Sequence, residues 1–125
     1  MREILFRGKR TDCEAWVEGD LIQAFRGNQL SSCSIMPNTP TAYCWKVDPE
    51  TVGQYTGLTD KNGVRIFEGD IIRFEDDIGY VIYTEGYARF LVDSPNRYIS
   101  MDYSSEFEVI GNIHDNPEIL KTSSL

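Results

Sequence analysis

Histidine is almost missing from this chain of 125 residues, with His114 the only one. Ser-His-Asp and Cys-His catalysis both need a histidine base beside the nucleophile. No serine sits in a GxSxG context, and nothing around Cys13, Cys33 or Cys44 points towards His114. Phosphate-cradling glycine patterns are also missing, since no run approaches a P-loop or GxGxxG. A zinc site lacks ligands: His114 stands far from the cysteines, and no two of these are in CxxC spacing. The chain is therefore read as a non-enzyme with no catalytic residues, no metal and no cofactor.

Long apolar runs are missing too. No stretch approaches the ~20 residues that a membrane span requires. The opening MREILFRGKR mixes charge with apolar residues and does not resemble a secretory signal. Met1 reads as the start of a cytoplasmic protein. The odd cysteine count argues for free thiols in a reducing compartment, used as small semi-buried residues. Basic residues are scarce, 12 against 20 acidic ones, for a formal net charge of -8. Duplex binding draws on lysine and arginine that displace counterions, so nucleic acid is disfavoured. The acidity reads first as solubility; the sharper alternative is an acidic face that imitates nucleic acid towards a basic protein.

What the sequence does have is turn chemistry. Residues 51–74, TVGQYTGLTDKNGVRIFEGDIIRF, read as strand, tight turn, strand, second turn, strand. Asn62-Gly63 is a hairpin signal, because a type I′ turn needs positive φ at both central residues. Asp60 and Lys61 leave open a longer loop in which Gly63 alone is left-handed. Glu68-Gly69-Asp70 punctuates the chain again, with Gly69 in a conformation that a Cβ would penalise and Asp70 accepting a backbone N–H. Val64, Ile66, Ile71 and Phe74 are core candidates.

The runs VDPETVGQYTGL (residues 47–58), DKNG (60–63) and IFEGDII (66–72) resemble the YopX family of small proteins encoded by phages and prophages. The two ends, MREILFRGK (1–9) and VIGNIHDNPEIL (109–120), are similar to that family's ends, and the likeness is thinnest over residues 23–43. The resemblance implies an SH3-like small barrel in the C-terminal half and a phage or prophage origin. It implies no particular activity and brings no catalytic residues.

The rest of the chain reads as short strands and turns. Residues 3–7 alternate like a half-buried strand, residues 8–14 like a turn, and residues 15–23 like a strand pair or one bent strand. Within the last, Glu18-Gly19-Asp20 echoes Glu68-Gly69-Asp70. Either the halves are distant duplicates or one strand-turn-strand device occurs twice; the second reading makes Gly19 and Asp20 turn residues. Arg26-Gly27-Asn28 is another turn. Pro37-Asn38-Thr39-Pro40 is a loop that divides an N-terminal β subdomain (1–40) from the barrel (41–120), the former packed on the latter. Asp48-Pro49-Glu50-Thr51 fits one helical turn, with Asp48 as N-cap. Residues 78–84 and 87–92 form a hairpin around Glu85-Gly86, with Ile78, Tyr80 and Ile82 facing Tyr87, Phe90 and Val92. Residues 98–103 are a strand or a 3₁₀ turn, and 106–112 the closing strand. A helical turn follows at Pro117, and residues 121–125 are a frayed tail. The architecture is mainly β.

Carboxylates are plentiful, and Asp12, Glu14, Glu18, Asp20, Glu68, Asp70, Glu75, Asp76 and Asp77 could supply a paired-acid or divalent-cation site. Turn formation accounts for them more simply. Aromatics are plentiful as well. Trp45, Tyr55, Tyr83 and Tyr87 are the candidate binding residues, since such side chains give large contact area at modest entropy cost. The expectation is an accessory protein that binds other protein and forms a homo-oligomer, with partner unknown. The alternatives are a small-ligand or nucleotide module with a pocket near Trp45 and Tyr55, and nucleic-acid binding through the barrel.

Overall fold

A computed structural model describes residues 3–38 and 43–123. Two antiparallel sheets carry most of the regular structure, with two 3₁₀ turns and one short helix. The mainly β architecture is thus present. The chain divides into two compact units, residues 1–55 and 56–125. Thr39 and Pro40 of the expected boundary loop lie outside the described residues.

In the first unit, β1 (Phe6–Lys9), β2 (Trp16–Arg26), β3 (Gln29–Pro37), β4 (Trp45–Lys46) and the start of β5 (Gly53–Thr59) lie in the order β4-β3-β2-β1-β5. Alternation along β2 and β3 buries Val17, Cys33 and Ile35, which pack with Val47 and with half-buried Phe6, Leu21, Trp45 and Val52. The 3₁₀ turn Pro49–Thr51 is capped as its sequence demands, with the Asp48 carboxylate accepting from Glu50 N–H at 3.0 Å. Thr51 then ties the turn to β1, its hydroxyl accepting from Lys9 N–H at 2.8 Å.

Glu18-Gly19-Asp20 is not a turn. It runs straight through β2, where Glu18 opposes Arg7 and Gly19 opposes both Phe6 and Pro37. A Cβ on Gly19 would stand 2.0 Å from the Met36 carbonyl oxygen. Glycine is required there because two strands come together too closely for a side chain. Gly19 and Asp20 are therefore strand residues, and the likeness to Glu68-Gly69-Asp70 is one of letters. At the second site Glu68 and Gly69 do form a turn, Gly69 has φ 91°, and the buried Asp70 carboxylate accepts from Phe67 N–H at 2.7 Å.

In the second unit, the end of β5 meets β6 (Arg65–Phe67). The connection takes the longer form, since Gly63 has φ 79° and Asn62 does not have positive φ. A separate sheet follows, built from β7 (Asp70–Phe74), β8 (Asp77–Thr84), β9 (Arg89–Asp93), β10 (Tyr98–Ser100) and β11 (Glu108–Asn112), in the order β10-β9-β8-β7-β11. Residues 98–103 prove to be both expected elements in succession, β10 and then a 3₁₀ turn, Met101–Glu106. Helix α1 spans Pro117–Ser123, longer than one turn, so the stretch read as a frayed tail begins inside it; Ser124 and Leu125 lie outside the described residues.

Ile66, Ile72, Phe74, Val81, Val92, Ile99, Met101 and Phe107 form the core of this unit. Two expectations fail here. Val64 is 47% exposed, because the loop ends at it rather than before it. On β8 the buried residues are Gly79 and Val81, while Ile78, Tyr80 and Ile82 are only half-buried. Gly79 and Val81 share the opposite pleat face from the residues picked by apolar alternation.

Asp60 organises the β5–β6 loop. Its Oδ1 accepts from Asn62 N–H (2.8 Å) and Val64 N–H (2.9 Å), and its Oδ2 accepts from Val109 N–H (2.9 Å). One buried carboxylate thus shapes a turn and anchors it to the closing strand.

Candidate interaction surface

The β2–β3 hairpin is longer than its core. Residues 22–31 are all exposed, including Ile22 (44%), Phe25 (56%) and Leu30 (40%). The ladder places Leu21 opposite Ile35, Gln23 opposite Cys33 and Phe25 opposite Leu30. By two-residue alternation Val17, Leu21 and Phe25 share one face of β2. The apolar stripe that begins in the core therefore runs on past it to Phe25 and Leu30, while Ile22 stands on the other face. The irregularity in this hairpin is an additional residue, Ser31, on β3, which leaves β2 regular.

The edges of this arm are open over most of its length. Pairing of β1 with β2 covers Trp16 to Gly19, and β4 opposes only Ser34 and Ile35 of β3. Beyond Gly19, β2 has a ladder partner on one side only among the described residues. Strong turn chemistry at Gly27 (φ 61°) and Asn28 was legible in the sequence, but the length of the arm was not. The available signal was the presence of apolar residues at both parities, Ile22 with Phe25 and Leu30, which no single buried face explains.

The four aromatic candidates are divided between the two units. In the first unit Trp45 is half-buried on β4, with the Arg10 guanidinium 3.8 Å from its ring centroid and Tyr43 at 6.4 Å. Tyr55 is 9% exposed and belongs to the core. In the second unit Tyr83 (45% exposed) packs edge-on to Phe90 at 5.2 Å, and Tyr87 (78% exposed) sits in the β8–β9 turn. Tyr83 and Tyr87 are surface residues, as expected of contact side chains; Tyr55 is not.

Arg10, Arg73 and Arg97 are each paired with a carboxylate. Arg10 donates to both oxygens of Asp12, at 2.8 and 2.6 Å, which raises the guanidinium pKa and holds the Asp12 carboxyl below its usual range. Arg97 engages Asp77 at 2.7 Å and approaches Glu75 at 3.7 Å. Arg73 pairs with Glu108 across the β7–β11 ladder. Among the described residues no three His, Cys, Asp or Glu side chains are grouped so as to hold a metal ion. Among them, too, no helix is long and apolar enough to cross a membrane.

The sequence profile of the YopX protein family matches residues 5–121. The chain belongs to the YopX family. It is also similar to the crystal structure of protein EF1440 from Enterococcus faecalis, with 27% identity, 96% of this chain and 99% of that chain covered, and a TM-score of 0.61. No curated protein sequence matches it. The family's distinctive run over residues 47–72 corresponds to the capped 3₁₀ turn, the Asp60 loop and the Asp70 turn. Read against these contacts, the run is a folding signature.

Proposed function

We propose that this protein is a phage or prophage accessory protein of the bacterial cytoplasm that acts by binding other protein, without catalysis, and that it self-associates. The observation that carries the reading is the β2–β3 arm: an apolar stripe continuous with the core, extended into solvent, with open strand edges. Exposed edges and exposed apolar side chains favour association unless prolines, lysines or bulges blunt them. The cations near Trp16 and Trp45 support this reading over nucleic-acid binding. Arg10, over the Trp45 ring, is bound to Asp12, and of the two cations over Trp16, Arg7 and Lys9, Arg7 lies opposite Glu18 in the ladder, so carboxylates face two of the three.

The second unit fits an SH3-like small barrel. Its sheet follows chain order 4-3-2-1-5, and a 3₁₀ turn joins the fourth strand to the fifth. Such a scaffold leaves its loops to carry specificity.

Sedimentation velocity of the purified chain, combined with capture from bacterial lysate, tests the proposal. Concentration-dependent association, or reproducible retention of a protein that is lost when Phe25 and Leu30 are replaced by serine, is the expected result. A chain that remains monomeric and retains nothing dependent on its surface apolar residues would overturn it.

A further inference from the structure

We infer that the open edge of β2 is the contact for a second copy of this chain, paired antiparallel about a two-fold axis through Gln23. The inference rests on the protein-binding reading above and names the partner and the register. A two-fold perpendicular to the ribbon requires opposed residues to share a pleat face, so the axis must pass through a residue. The segment free of β1 reads Asp20-Leu21-Ile22-Gln23-Ala24-Phe25-Arg26. Centred on Gln23, Asp20 opposes Arg26, Leu21 opposes Phe25 and Ile22 opposes Ala24, each pair occurring twice. Opposite charges thus meet at both ends, and apolar residues meet between them.

Neighbouring registers lose this match. Centring on Ile22 sets Leu21 against Gln23 and leaves Arg26 opposite Glu18, which already lies in the β1 ladder. Centring on Ala24 sets Ile22 against Arg26 and Gln23 against Phe25. The Gln23 register is the one that pairs both charges within the free segment.

Three further features fit. The segment contains no proline and no lysine, and the bulge lies on the other strand, so none of these three devices blunts this edge. A two-stranded ribbon is marginal in water by itself, and pairing would make it the middle of a four-stranded sheet. The register also places Leu21 and Phe25 of both copies on one face, joining the two exposed stripes. In a protein of net charge -8, an arm whose charges are self-complementary lets two acidic chains meet where the contact is neutral.

The test uses the full chain and sedimentation velocity. Arg26→Glu opposes like charges at both ends and is expected to raise the dimer dissociation constant by about tenfold or more. Asp20→Arg combined with Arg26→Glu restores opposite charges and is expected to restore association. In a background with Cys13 and Cys44 replaced by serine and Cys33 by alanine, the last because Cys33 directly opposes Gln23 within one chain, Gln23→Cys is expected to form a disulfide-linked dimer under mild oxidation, since directly opposed residues lie within disulfide reach. Ala24→Cys, which opposes Ile22, is expected to cross-link far less. Circular dichroism of each variant establishes that it is folded. Failure of the charge swap to restore association, or absence of the Gln23→Cys cross-link in a chain that still associates, would overturn the register while leaving the protein-binding reading in place. A monomer that still captures another protein would do the same.

Discussion

Replacing Asp60 with alanine should destabilise the protein more than any other single carboxylate change. The side chain belongs to a residue that is 5% exposed, and it accepts three backbone N–H bonds of 2.8 to 2.9 Å. The backbone bonds of Asp60 to Val64 and Gly63 survive the substitution; the three donors to its carboxylate lose their acceptor. Asn62 and Val64 are exposed, so water can replace much of their loss. Val109 is half-buried, and its bond links the loop to the closing strand across 49 residues of sequence. A bond to a charged group contributes about 1.5–3 kcal/mol, and a stranded buried donor costs about 1–3 kcal/mol. Weighting the Val109 bond fully and the other two lightly gives about 3 kcal/mol for Asp60→Ala. Asn at this position keeps one acceptor oxygen but turns an NH₂ onto a donor, for about 2 kcal/mol. Urea unfolding followed by far-ultraviolet circular dichroism measures both. The pH dependence follows in sign. Burial opposes ionisation of Asp60, but the N–H groups of Val109, Val64 and Asn62, with Lys61 nearby, outweigh it and hold the carboxyl below its ordinary range. A depressed folded pKa gives stabilisation that is complete above the unfolded value of about 3.9 and lost as pH falls through the folded one. The gap between wild type and Asp60→Asn should therefore narrow below about pH 4. An Asp60→Ala cost under about 0.5 kcal/mol at neutral pH, or a gap unchanged on acidification, would refute this account.

Other expectations follow from single contacts. Gly19→Ala should cost about 1–3 kcal/mol, towards the upper end, because the new Cβ meets the Met36 carbonyl and backbone must move; thermal unfolding reads it. Phe107→Ala should cost about 3–5 kcal/mol, since the ring is 0% exposed and packs edge-on to Phe74 at 5.3 Å; urea midpoints decide. Thiol titration of the native protein should find Cys13 and Cys44 reactive and Cys33 unreactive until denaturant is added, because Cys33 is 4% exposed and burial raises its thiol pKa.

The legibility of this chain divides by the range of the physics involved. Asp48, Asn62-Gly63 and Glu68-Gly69-Asp70 announce themselves because capping and turn formation are satisfied within a few residues. Asp60 was half-visible in the same way: its bonds to Asn62 and Val64 are local, but the bond to Val109, which makes it central, is not. Gly19 shows the opposite error. Its letters match those around Gly69, yet the requirement for glycine is set by Met36, seventeen positions away along the chain and adjacent only once β2 and β3 pair. The same limit hid the arm. Alternation told which residues of β2 share a face, but whether that face is covered depends on where the neighbouring strands stop, and β1 stops at the partner of Gly19. A strand that outlasts its neighbours leaves an apolar stripe with nothing among the described residues of its own unit to cover it. That mismatch in length, rather than any motif, marks the surface on which we propose that another protein is bound.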